Sequence, residues 1–194
     1  VPNPPAVLRP ALDRIWMETL CKPNGMPKVK VHGFAMTSFS LMYRYPWYSV
    51  DSKSWIDMAR YGKILVPILK NGKRNWLHPR NYFVTERSFV KIKQQTHLRS
   101  QPAPTIQYVK DYLKEFDTPF GASRFKDVKG DYDLKKNELW VDKPKDGEPG
   151  KVEVIVEPGV CNQYHLRMDV NLRLFCEIEK VVPQWPWSIH QTIK

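Results

Sequence analysis

Cysteine is too scarce and too scattered in this chain to build a metal centre or a disulfide framework. There are three, Cys21, Cys161 and Cys176, with no CxxC, CxCxxC or HExxH spacing. That argues against a zinc site made by this chain alone and fits buried free thiols in a reducing compartment. No run of about 18 apolar residues occurs, so no membrane span is expected. The opening "VPNPPAVLRP" has neither the charged nor the apolar block of a signal peptide, and no initiating Met. It reads as a fragment or a processed chain. Walker A, GxGxxG and GxSxG motifs are missing, which leaves nucleotide hydrolysis and serine-hydrolase chemistry without support. There is no internal repeat and no heptad array. Glycine is rare, nine against seventeen prolines, which predicts many irregular connections. Acidic residues are outnumbered 20 to 31, a net charge of +11. The charge has two readings, a polyanionic partner such as DNA or RNA, or a solvated basic surface.

What is abundant is aromatic. Seven Trp, nine Tyr and eight Phe among 194 residues, with 42% hydrophobic residues overall, are enough for a core. The expectation is one globular domain, or part of one with an appendage. "PALDRIWMETL" spaces Leu12, Ile15, Trp16 and Leu20 as a helix, with Pro10 in its first turn. "KVKVHGF" alternates like a strand, with Val29 and Val31 on one face. "TSFSLMYRYP" reads as a short helix capped by Thr37 or Ser38, and "WYSVD" as the next strand. Together these make one βαβ unit, parallel if the strands share a sheet. "GKILVPIL" is a strong strand, and the Asn-Gly of "KNGKRNW" predicts a hairpin. "APTIQYVKDYLKEF" is an amphipathic helix with Ile106, Val109, Leu113 and Phe116 on its apolar stripe. The polar stretch from Lys126 to Lys151 reads as a solvated loop, "KVEVIVE" as a strand and "CNQYHLRMDVNLRLFCEIEKVV" as the longest helix. "PQWPWSI" ends the series with buried aromatics around prolines.

Asp51 is the principal candidate for chemistry. It stands at the end of an apolar strand, between serines and amid aromatics. It fits a helix N-cap, or a carboxylate nucleophile in a polarised pocket. Asp57 reads as an exposed helix acid. His32 precedes Gly33 at a strand end, where Gly lets a ligand approach the backbone and His can bond or stack on a planar group; a satisfied buried His is the plainer alternative. His78, His97, His165 and His190 share no ligand spacing. In "KNGKRNWLHPR" cations alternate with aromatics, which suits phosphates and bases, or an edge hairpin guarded by Lys. "GASRF", residues 121–125, could start a helix or bind an anion through its backbone.

These motifs, in order, carry a resemblance. "KVKVHGFAMTSFSLMYRYPWYSVDSKSWIDMARYG" resembles the late barrel segment of the tRNA-guanine transglycosylase superfamily, and looks closest to its phage and bacterial DNA-guanine transglycosylase branch. The matching residues are His32-Gly33-Phe34-Ala35, the stretch from Arg44 to Trp55, and Asn171 through Phe175 to Trp187. The resemblance spans nearly the whole chain but only the C-terminal portion of the usual protein. It implies an α/β fold, the C-terminal part of a (β/α)8 barrel with an α+β extension, the barrel being incomplete in this chain alone. Residues 1–60 would be the late barrel βα segment and 61–194 the extension. It implies that Asp51 attacks C1′ of a guanosine, forming a covalent glycosyl-enzyme that a 7-deazaguanine base then displaces. The chemistry parallels that of retaining glycosidases. His32, Gly33 and Phe34 would line the base pocket, and Lys53, Arg60, Lys70, Lys73, Arg74 and Arg80 would meet nucleic acid.

Three departures stand against the pattern. The zinc-binding cysteines of the tRNA enzymes are missing. Lys53 replaces the usual Ser or Thr after "VDS", so it either meets phosphate or alters the pocket. Ala35 stands where Gly is common. Three functions follow: part of a base-exchange enzyme completed by further barrel strands, a nucleic-acid-binding module without turnover, or an assembly protein that reuses the scaffold. The first is the expectation carried forward: a transferase acting on DNA more than RNA, with no cofactor and no metal. Its partners would be nucleic acid, a 7-deazaguanine base and a barrel-completing polypeptide. Its place would be the cytoplasm, the host's if the chain is phage-encoded.

Overall fold

A computed structural model describes residues 5–87, 97–129, 131–144 and 148–189, without the side chains of residues 5 and 6. His190 lies outside the described residues. The fold is mixed α/β, with three small sheets among the described residues. Among the described residues the strands close no barrel, and no helix is long and apolar enough to cross a membrane. The chain divides into two compact units. One is Val1–Trp55, Pro67–Pro79 and Leu174–Lys194; the other is Ile56–Val66 and Arg80–Arg173.

The first unit is built around aromatic rings. Helix α1 (Pro5–Arg14) runs into a π-helical turn, Ile15–Leu20. The helix starts five residues before the position expected from the sequence, so Pro10 sits inside it and not in the first turn. Trp16 is fully buried, stacks on Tyr45 with centroids 5.9 Å apart and meets the edge of Trp47 at 5.1 Å. Leu8, Leu12, Leu20, Val31, Met36, Val50 and Ile189 pack around this cluster. Burying three such rings supplies on the order of 6 kcal/mol before any entropy cost. The Tyr45 hydroxyl donates to Asp13 Oδ1 at 2.8 Å, and Arg44 Nε donates to the same oxygen at 2.8 Å. Burial, then the bond to Asp13, pushes the Tyr45 phenol up to about 12.

The expected βαβ unit is present. Strand β1 (His32–Gly33), helix α2 (Phe39–Arg44) and strand β2 (Ser49–Val50) follow in order, and the two strands pair in parallel. Both are shorter than the alternation suggested: Val29 is exposed and unpaired by the ladder. The register explains which residues are inside. Gly33 opposes Val50 on the core side, and a Cβ on Gly33 would lie 2.9 Å from Trp47 Cε3. That close approach is what the glycine permits. Trp185 and Trp187 are only half-buried, not core residues as expected, and their segment ends with Ile189 N–H donating to the Gly25 carbonyl at 3.1 Å.

In the second unit, helix α4 (Ala103–Lys114) buries Val109 and Leu113 of the expected stripe, with Tyr112. A three-stranded antiparallel sheet has the order β5-β7-β6, from β5 (Ala122–Val128), β6 (Glu138–Asp142) and β7 (Gly150–Glu157). Two expectations are corrected here. "GASRF" opens a strand, because Ser123 to Phe125 pair with β7, and it starts no helix. The polar stretch after Lys126 is not all loop, since Glu138–Asp142 pairs with the other edge of β7. Helix α5 (Tyr164–Val181) matches the expected long helix. Asn171 on it is fully buried, accepts from Leu65 N–H at 2.7 Å and donates to the Lys63 carbonyl at 3.3 Å. This residue of the resemblance motif therefore satisfies the edge of a strand.

That strand, β3 (Lys63–Lys70), forms the expected hairpin with β4 (Lys73–Phe83). Asn71 and Gly72 both have positive φ, 53° and 74°, the backbone a two-residue type I′ turn requires. Helix α3 (Ser54–Arg60) precedes β3 and ends with exposed Arg60.

Candidate active site

The parallel register sets His32 opposite Ser49. Side chains on a strand alternate between faces, so Ser49 and Asp51 share a side, away from the core. His32 Nδ1 lies 2.9 Å from Ser49 Oγ, and His32 Nε2 lies 3.7 Å from Asp51 Oδ2. Both His32 and Asp51 are about half exposed, with side-chain exposures of 51% and 54%. The plainer alternative for His32, a satisfied buried histidine, does not hold: it is on the surface.

The carboxylate is anchored from one side. Asp51 N–H donates to the Gly33 carbonyl at 3.3 Å, and Ala35 N–H donates to Asp51 Oδ1 at 3.0 Å. Ala35 presents its amide because the chain turns tightly there, Met36 N–H reaching back to the Gly33 carbonyl at 3.3 Å with Ala35 at φ 57°. A left-handed residue without a glycine is strained. Phe34, at the crest of that turn, is 77% exposed. An open aromatic ring is a surface on which a planar base can stack.

Asp51 does not act as the cap of α3. Its carboxylate turns back to the β1 turn, while the Ser52 hydroxyl accepts from Ser54 N–H at 2.9 Å. Ser54 is bonded in turn to Thr37 Oγ1 at 3.1 Å and to Ser52 through a short hydroxyl contact. The serines around Asp51 thus hold the start of the helix and leave the carboxylate to the strand end. One oxygen is fixed by a backbone amide; the other faces an imidazole and solvent. The sequence reading had no role for Ser49, whose part emerges only from the strand register.

His32, Gly33, Phe34 and Asp51 are therefore brought together. The cationic candidates fall in three further places. Lys53 is exposed two residues beyond Asp51, in the turn before α3. Lys70 and Lys73 flank the hairpin turn and are exposed, and the Arg74 guanidinium lies 5.8 Å from the centre of the Trp76 ring. Arg60 and Arg80 are exposed and belong to the second unit. Among the described residues no group of His, Cys, Asp and Glu could hold a metal ion. Cys21 and Cys161 are buried free thiols, and burial pushes the Cys161 thiol up to about 11. Cys176 is exposed, against the expectation of burial. No family model matches the chain, and no curated protein or solved structure matches it.

Proposed function

We propose that this chain is part of a nucleic-acid base-exchange enzyme of the guanine-transglycosylase type, acting on DNA more than RNA, with Asp51 as its nucleophile. The observation that carries the reading is the Asp51 carboxylate itself: one oxygen pinned by Ala35 N–H, the other open to solvent near His32, across from the turn that exposes the Phe34 ring. The resemblance of "RYPWYSVDS" and "HGFA" to the late strands of a (β/α)8 barrel supports it. So does the parallel β1–β2 pair, which is the ladder such a barrel repeats.

The chemistry balances without a cofactor. The open Asp51 oxygen attacks C1′ of the nucleoside as the C1′–N9 bond breaks, and the bonding pair leaves with guanine, which takes up a proton. A 7-deazaguanine base then forms the new C1′–N9 bond, gives up a proton and releases the carboxylate. Phe34 stacks on the base and His32 flanks the sugar, while Gly33 holds this strand end close against Trp47. A barrel-completing polypeptide supplies the remaining walls, and the work is done in the cytoplasm, that of the host for a phage-encoded chain.

The test is covalent trapping. Incubation with guanine-containing DNA, together with proteins co-purified from the native source, yields an adduct that intact-mass spectrometry places on this chain. Asp51→Asn abolishes it, because a neutral amide is a poor nucleophile. An adduct that persists in Asp51→Asn removes Asp51 from the role. A second reading, a nucleic-acid-binding module without turnover, draws on the exposed cations of the hairpin. It predicts DNA binding that Asp51→Asn leaves intact and no adduct under any condition.

A further inference from the structure

We infer that Lys30, seated on the rings of Tyr48 and Trp185, is a phosphate-binding residue for the nucleic-acid strand that brings its nucleotide to Asp51. The inference rests on the reading of Asp51 as nucleophile in a base exchange, and adds a residue which that reading does not use.

The backbone puts Lys30 on the side of the candidate site. Along residues 30–33 exposure alternates: Lys30 and His32 are exposed, while Val31 packs against the aromatic core and Gly33 is buried. Lys30 and His32 therefore share the outer face. Tyr48 N–H donates to the Val31 carbonyl at 3.0 Å, so the two chains already run side by side before the β1–β2 ladder begins. Lys30 stands two residues before His32, and Tyr48 three before Asp51. In extended chain these steps are about 7–10 Å, the scale on which phosphates flank a single nucleotide.

The ammonium is held in place without a counter-charge. Lys30 Nζ lies 4.3 Å from the centre of the Tyr48 ring and 5.7 Å from that of Trp185. The two rings meet at 86° with centroids 5.5 Å apart. A cation over aromatic faces is attracted by their quadrupoles, and a side chain already held has less freedom to lose when an anion arrives. Among the described residues Lys30 makes no ion pair, whereas Lys126 and Lys180 are joined to Glu138 and Glu177. An ammonium has three N–H donors, and this one is exposed, so it keeps donors for an incoming anion. The same contacts say which part of a nucleotide is met. Lys30 covers a face of Tyr48, and Trp185 stands against that ring at a right angle, so this shelf presents charge above its rings. Phe34, two residues beyond His32, presents an open ring instead. Phosphate contacts position a strand and base contacts specify it. Lys30 thus sets the register of the strand, and Phe34 receives the base.

The experiment is a salt titration of binding to a DNA oligonucleotide with a single guanosine, using the full chain together with the proteins that co-purify with it. Lys30→Gln lowers affinity by about three- to tenfold at about 0.1 M salt, and reduces the slope of log affinity against log salt by about 1. Lys30→Arg keeps the charge and can stay over the rings, so it keeps the slope. Neutral methylphosphonates are then placed, one at a time, at the phosphates around the guanosine. In the unaltered protein one position reproduces the loss, and at that position Lys30→Gln loses nothing further. An unchanged slope in Lys30→Gln overturns the inference, and so does a methylphosphonate loss that is the same in both proteins at every position. Covalent trapping separates this from the reading beneath it. If the unaltered protein forms no adduct at Asp51 and the slope still depends on Lys30, the proposed base exchange fails and the phosphate contact stands.

Discussion

Ala35 occupies a backbone position that favours glycine, at φ 57°, and it is the residue whose amide holds Asp51. An L-residue there costs about 1–2 kcal/mol of steric strain. Replacement by glycine removes that strain and returns part of the gain as unfolded-chain entropy. Ala35→Gly is therefore expected to raise stability by up to about 1 kcal/mol, read as a higher denaturant midpoint at unchanged slope. A lower midpoint would show that the methyl group packs usefully in the turn. The sequence marked Ala35 as a departure from the resemblance pattern, and the turn supplies the physical meaning of that departure. Asp51 was also legible as a candidate from its place at a strand end among serines. Its partners were not, because a carboxylate beside serines reads equally as a cap. Only the hydrogen bonds show Ser52, and not Asp51, serving the helix start.

At the scale of elements, strong local chemistry was readable and weak chemistry was not. Asn71-Gly72 announced the hairpin because its two positive-φ positions suit those residues. The apolar spacing of α4 announced a helix. Strand β6 was hidden because Lys, Asp, Gly and Pro surround it, and a strand of five residues with one buried carboxylate has no clean alternation. That carboxylate, Glu138, ties the strand to β5 and to the turn before it. It accepts from Lys126 Nζ at 2.7 Å, from the Tyr132 hydroxyl at 2.8 Å and from Lys135 N–H at 3.1 Å. The Lys126 bond is the chief cause that holds its carboxyl down to about 2, against an ordinary 4.5, burial working in the other direction. A carboxyl whose pKa falls on folding stabilises the fold above its unfolded value. That contribution is full above about pH 4.5 and is lost as pH falls from there towards 2. Acid titration followed by circular dichroism should show the loss in this window, and Glu138→Gln should flatten it while lowering stability at neutral pH. An unaltered acid profile in Glu138→Gln would place the acid sensitivity elsewhere.

For the molecule as a whole, the net charge of +11 sets the long-range behaviour towards a polyanion. Composition could announce this charge but not its arrangement, since lysines occur along the entire chain. The hairpin concentrates it: Lys70 and Lys73 stand at the turn, and Arg74 is set beside the face of Trp76. Cations that meet phosphate release counterions, so each contact adds to the salt dependence of binding. Replacing Lys70, Lys73 and Arg74 together by Gln should weaken DNA binding at low salt. It should also reduce the slope of log affinity against log salt by about 3, one unit for each lost phosphate contact. The loss should be similar across DNA sequences, because phosphate contacts carry no base information. Asp51→Asn in the same titration should leave the slope unchanged, because a site that reacts with one sugar adds no phosphate contact. A triple variant that weakens binding with an unaltered slope would mean that the hairpin cations act on the fold or on stacking, and that the phosphates are met by other residues.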